Sequence, residues 1–170
     1  NMMCNSAFVL DSNFVTIGGC CSGILVANLV DGSGEVVESN VVSPEVTGDV
    51  ALVFHESGFL NSDGLLVYEC GTTDSEASNL ITIWDPIDLE LLQEIVYHVD
   101  SDSLKFNIQT INEGEDNEII AAGNRRLDFG QGNGTENMDM FIVTWNSEFE
   151  ASDYSVLDPF PDDYISCERI

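Results

Sequence analysis

Apolar residues recur along this chain in strand-length runs, each preceded by a small polar turn. Phe14-Val15-Thr16-Ile17-Gly18-Gly19 follows Asp11-Ser12-Asn13. Leu66-Val67-Tyr68-Glu69-Cys70-Gly71 follows Asn61-Ser62-Asp63-Gly64, and Glu118-Ile119-Ile120-Ala121-Ala122-Gly123 follows Glu115-Asp116-Asn117. The closing glycines Gly19, Gly71 and Gly123 stand 52 residues apart at each step. A fixed period of this length with strand-like content predicts a repeated β unit.

The same order can be read around each run. In the first unit the strands are predicted at residues 4–10, 14–19, 24–30 and 35–42, with Pro44 ending the last. Asp31-Gly32-Ser33-Gly34 is a hairpin signal between the third and fourth. The second unit places strands at 50–55, 66–70, 79–84 and 94–99, with a short helical turn at 88–92. The third places them at 104–109, 119–123, 140–145 and 153–157, with a long loop at 124–137 that carries Arg125 and Arg126. The third strands align as Leu29-Val30-Asp31, Ile83-Trp84-Asp85 and Thr144-Trp145-Asn146. The expected organisation is one domain, 1–170, with repeats at 4–48, 49–102 and 103–162. After the stiff spacer Asp158-Pro159-Phe160-Pro161, residues 163–170 resemble the first strand of a fourth unit, with Tyr164, Ile165, Cys167 and Ile170 as its assembly residues.

This unit resembles the repeats of bacterial secreted β-propellers. Their pattern is a strand, a turn, an apolar strand ending in Ala-Gly or Gly-Gly, a loop, and a hairpin of the form apolar-x-apolar-x-x-Asp-x-x-Gly. Here the pattern is carried by Ile119-Ile120-Ala121-Ala122-Gly123 with residues 139–146, and by residues 24–34. The resemblance covers nearly the whole chain. It implies an all-β, propeller-like array of three four-stranded antiparallel blades with an extra C-terminal strand, and it implies no particular activity. Closed propellers have four to eight blades, so three blades and a strand leave unpaired edges, which are adhesive. The extra strand is expected either to fold back on its own first blade or to complete a neighbouring subunit.

Composition narrows the function. Four Lys and Arg against 31 Asp and Glu give a net charge of −27. That excludes a basic footprint for nucleic acid and disfavours an anionic membrane surface. No apolar run is long enough to form a membrane-spanning helix, so no membrane insertion is expected. With 44% apolar residues and nine Phe, the chain is not of disordered composition. The charge reads as a solvated acidic surface whose self-repulsion salt or divalent cations relieve. Cys4, Cys20, Cys21, Cys70 and Cys167 lack the CxxC pairs of a zinc site and suit disulfides in an oxidising compartment. Cys70 is expected to pair with Cys20 or Cys21, and Cys167 with Cys4 of a neighbouring subunit. Asn133-Gly134-Thr135 is a glycosylation sequon. Asn1, rather than a Met, opens the sequence, as in a processed chain or in a segment cut from a longer one. These features together point to an extracellular or cell-surface location.

Chemistry-bearing patterns are sparse. Asp100-Ser101-Asp102-Ser103 alternates carboxylates like a fragment of a calcium loop, which makes Asp100 and Asp102 the candidate Ca2+ ligands. The glycine and distal glutamate of an EF-hand are missing, and a solvated turn has the same composition. His55 and His98 stand apart from other ligands and read as strand-edge residues. No Gly-x-Ser-x-Gly elbow is present. Cys20-Cys21 could be a nucleophile, but the exported context favours disulfides. Carboxylates are too numerous for a glycosidase pair to be picked out. Trp84 and Trp145 hold equivalent places in two repeats, which favours core packing over a sugar-stacking platform.

The expectation is therefore a secreted, non-enzymatic structural protein without a cofactor. It would assemble with copies of itself into an extracellular filament or surface assembly by head-to-tail strand donation. The alternative is an extracellular propeller-type binding module for glycan or metal ligands. A secreted hydrolase using acidic residues is a third reading.

Overall fold

The computed structural model describes residues 6–20, 24–44, 52–72, 79–97, 104–115, 118–127, 138–146 and 151–157. They form twelve strands. The first four are β1 (Ser6–Leu10), β2 (Asn13–Cys20), β3 (Ile24–Val30) and β4 (Val36–Val42). Next come β5 (Leu52–Leu60), β6 (Leu66–Thr72), β7 (Asn79–Asp85) and β8 (Glu90–Tyr97). The last are β9 (Leu104–Glu113), β10 (Ile119–Leu127), β11 (Met138–Trp145) and β12 (Ala151–Leu157). Each consecutive set of four makes one antiparallel meander, so the fold is all-β with three four-stranded sheets. Among the described residues there is no α-helix, and no helix is long and apolar enough to cross a membrane.

Alternation assigns the faces. Val15, Ile17, Leu25 and Ala27 of the first sheet pack on Leu66, Tyr68, Cys70, Leu80 and Trp84 of the second. The other face of the second sheet, with Phe59, Val67 and Ile81, packs on the third, through Ile119, Ala121, Phe141, Val143 and Trp145. The middle sheet is thus covered on both sides, and β6 is buried at every position from Leu66 to Cys70. That accounts for its nearly unbroken apolar sequence. The first strands lie side by side, β1 against β5 and β5 against β9.

A shared irregularity relates the three sheets. Between the third and fourth strands a β-bulge falls at Leu29/Val30, at Ile83/Trp84 and at Thr144/Trp145. Bulges bend and twist a strand, and these coincide with the alignment on Val30, Trp84 and Trp145. The glycine alignment needs correction. Gly18, Cys70 and Gly123 are the register equivalents, paired with Val26, Leu80 and Phe141. Gly123 therefore does not match Gly19 and Gly71. A one-residue slip exchanges the two faces of a strand, so glycine spacing alone would have put the wrong side of β10 into the core.

Other boundaries also differ from the sequence reading. Strand β5 continues through Glu56-Ser57-Gly58-Phe59-Leu60 past a bulge at Val53/Glu56. Strand β10 runs through Arg125-Arg126 into the segment expected to be a loop. The expected helical turn at 88–92 is instead a tight turn followed by β8. Leu89 there has φ 53, with its side chain buried and its carbonyl accepting from Asn40 Nδ2 at 2.8 Å. Packing and that hydrogen bond hold a left-handed conformation that a bulky residue rarely adopts.

Candidate interaction surface

The face of the first sheet turned away from the second presents a row built by register. Val9 pairs with Phe14, Phe14 with Val30, and Val30 with Val36. Val9, Phe14 and Val36 are 64%, 40% and 59% exposed. The next row joins Ala7, Thr16, Asn28 and Ser39. Its polar members satisfy one another: Asn28 Nδ2 donates to Thr16 Oγ1 at 3.3 Å, and Ser39 Oγ donates to Asn28 Oδ1 at 2.7 Å. The third row contains Gly18, Val26 and Val41. No residue in these three rows carries a charge, in a chain where 21% of residues do.

The hairpin ends hold their own geometry. Asp31 Oδ1 accepts from Ser33 N at 2.8 Å, from Ser33 Oγ at 2.7 Å and from Glu35 N at 3.0 Å. Gly34, at φ 88, closes the turn through its N–H to the Asp31 carbonyl. Those bonds, the Ser33 hydroxyl first, hold the Asp31 carboxyl below its ordinary value. Asn61 does the same work between β5 and β6, accepting from Leu65 N at 2.8 Å, with Gly64 at φ 80. The oxygens of residues 31–35 thus make a hairpin, as their composition suggested. The Glu113 carboxylate at the end of β9 accepts from Ser62 N at 2.9 and 3.0 Å and from Ser62 Oγ at 2.9 Å. It ties the third sheet to the second.

The remaining candidates divide by location. Asp100, Asp102, Cys4, Cys21, Asn133, Tyr164, Ile165, Cys167, Ile170 and His98 lie outside the described residues. Cys20 ends β2, and only its backbone position is described. Cys70 is buried, with Sγ 3.8 Å from the Leu80 carbonyl oxygen. Its register equivalent in the first sheet is Gly18, two residues before Cys20. Trp84 and Trp145 are both core residues. Trp84 Nε1 donates to Thr82 Oγ1 at 2.8 Å, and that hydroxyl donates to the Tyr68 carbonyl at 3.2 Å. Glu69 is fully buried, opposite Ser57 and Ile81 on the face toward the third sheet. The sequence signal for it was a lone acid inside an apolar run. Among the described residues, no group of three or more His, Cys, Asp or Glu side chains is placed to hold a metal ion.

No protein-family model matches the chain, and no curated protein matches it.

Proposed function

We propose that this is a secreted structural protein that assembles with copies of itself, a subunit of an extracellular filament or surface assembly, its sheets arranged as propeller-like blades. The observation that supports the reading is the uncharged, largely apolar outer face of the first sheet. Exposed apolar patches on soluble proteins mark association sites. The converging first strands and the bulge repeated in each sheet suit a blade array, in which each unit gains most of its stability from its neighbours. Head-to-tail contacts of such units give rings if the rotation closes and filaments if it does not. Donation of residues 163–170 to a neighbour is the proposed covalent-free link, and pairing of Cys167 with Cys4 of that neighbour would secure it.

Size-exclusion chromatography and negative-stain microscopy of the whole chain test this reading. An open series of oligomers or fibres is expected. A monomer at all accessible concentrations would overturn it, and a single closed oligomer would favour the binding-module alternative. Deleting 164–170 is expected to leave β-rich subunits that no longer polymerise if the strand is donated.

A further inference from the structure

The three sheets place equivalent residues in unequal surroundings. In the second sheet the row Leu60, Leu66, Trp84 and Leu91 lies beneath the first sheet. In the third, Ile119 and Trp145 of the corresponding row lie beneath the second. The matching row of the first sheet is Val9, Phe14, Val30 and Val36, equally apolar, with Val9, Phe14 and Val36 exposed and Val30 half-buried. In both interfaces within the chain, this row is covered by the opposite face of the sheet before it. The third sheet has such a face to offer. There Ile120, 36% exposed, pairs with Thr144, which pairs in turn with Asp153, and Ala122, buried at 5%, pairs with the half-buried Ile142. The neighbouring β9 positions Thr110 and Asn112 are uncharged.

We propose that the outer face of the first sheet of one copy packs on the outer face of the third sheet of the next, repeating between chains the sheet-on-sheet contact made twice within each. The partner is a second copy of this chain. Within a chain carrying −27, like-charge repulsion opposes most self-contacts. The outer rows of the first sheet carry no charge, so the one acidic position of the facing rows, Asp153 paired with Thr144, meets no like charge there. The contact is heterologous, so it propagates. The inference rests on the proposed self-assembly and specifies a sheet-face contact, distinct from donation of residues 163–170.

Sedimentation velocity on the intact chain over a concentration series, in moderate salt, tests it. Phe14→Asp and Ile120→Asp each place a carboxylate in one of the two faces, and each is expected to weaken association about a hundredfold or more, since an unpaired charge would be buried. Mixed in equal amounts, the two variants retain one intact face of each kind and are expected to form a one-to-one heterodimer and nothing larger. Emission from the buried Trp84 and Trp145 should match the parent in both, showing that the fold is kept. Assembly that survives Phe14→Asp would overturn this contact while leaving self-assembly standing. Loss with Phe14→Asp but not with Ile120→Asp would mean that two first sheets meet face to face, which also overturns it. A parent chain that stays monomeric would sink both the contact and the assembly reading.

Discussion

Gly58 sits where β5 passes beneath the first sheet, and the packing leaves no room for a side chain. A Cβ at this position would lie 2.6 Å from the Val67 carbonyl oxygen, 3.0 Å from Phe8 Cζ and 3.3 Å from Tyr68 Cα. The nearest obstacle is backbone of the adjacent strand, in a sheet covered on both faces, so it cannot rotate away. Overpacking of this kind costs about 1–3 kcal/mol. Replacing Gly by Ala returns roughly 0.4–1 kcal/mol by restricting the unfolded chain. Gly58→Ala should therefore lose about 1–2 kcal/mol net, lowering the melting temperature by about 2–8 °C for a chain of this size. Gly114 supplies the control. A Cβ there would meet Ile120 Cδ1 at 2.7 Å and Cγ1 at 3.0 Å, the end of a flexible, exposed side chain. Gly114→Ala should change stability by less than about 0.5 kcal/mol. Urea unfolding followed by tryptophan emission measures both. Equal losses at the two positions, or none at Gly58, would refute the argument from close approach.

Three further expectations follow from named contacts. Thr82→Val keeps the shape but removes the acceptor of the buried Trp84 indole N–H, and should cost about 1–3 kcal/mol in the same unfolding assay; a variant as stable as the parent would remove any energetic role for that bond. The folded Asp31 carboxyl lies below its ordinary 3.8, so its contribution is present above the unfolded value of about 3.9 and is lost as pH falls through the folded value. Asp31→Asn should keep the turn, as Asn61 does, and lose that acid-range dependence, whereas an Asp31 titration midpoint by NMR at or above 3.8 would contradict the hydrogen bonding. Raising salt from about 10 mM to 1 M shortens screening from about 30 to 3 Å and should raise the melting temperature of a chain at −27. A calcium site at Asp100 and Asp102 would add a further rise in millimolar calcium over excess chelator, one that Asp100→Asn with Asp102→Asn abolishes; identical melting in both media would argue against such a site.

Much of the strand order was legible locally. Alternation in Phe14-Val15-Thr16-Ile17, turn residues such as Asp31-Gly32-Ser33-Gly34, and the matched places of Trp84 and Trp145 depend on neighbours a few residues away, where side-chain period and turn chemistry act. Strand ends were less legible. Polar Glu56-Ser57 and Arg125-Arg126 look like loop residues, yet they extend β5 and β10 because a partner strand supplies the hydrogen bonds. Glycine spacing misplaced β10 by one residue, since the face that enters the core is chosen by the neighbouring sheet. The outer face of the first sheet could not be read from the sequence at all. Phe14, Leu66 and Ile119 are apolar residues at the same register position. Two are buried and one is exposed. Composition made all three fit for a core, but burial requires a second surface, and only the stacking of the sheets decided which of them found one.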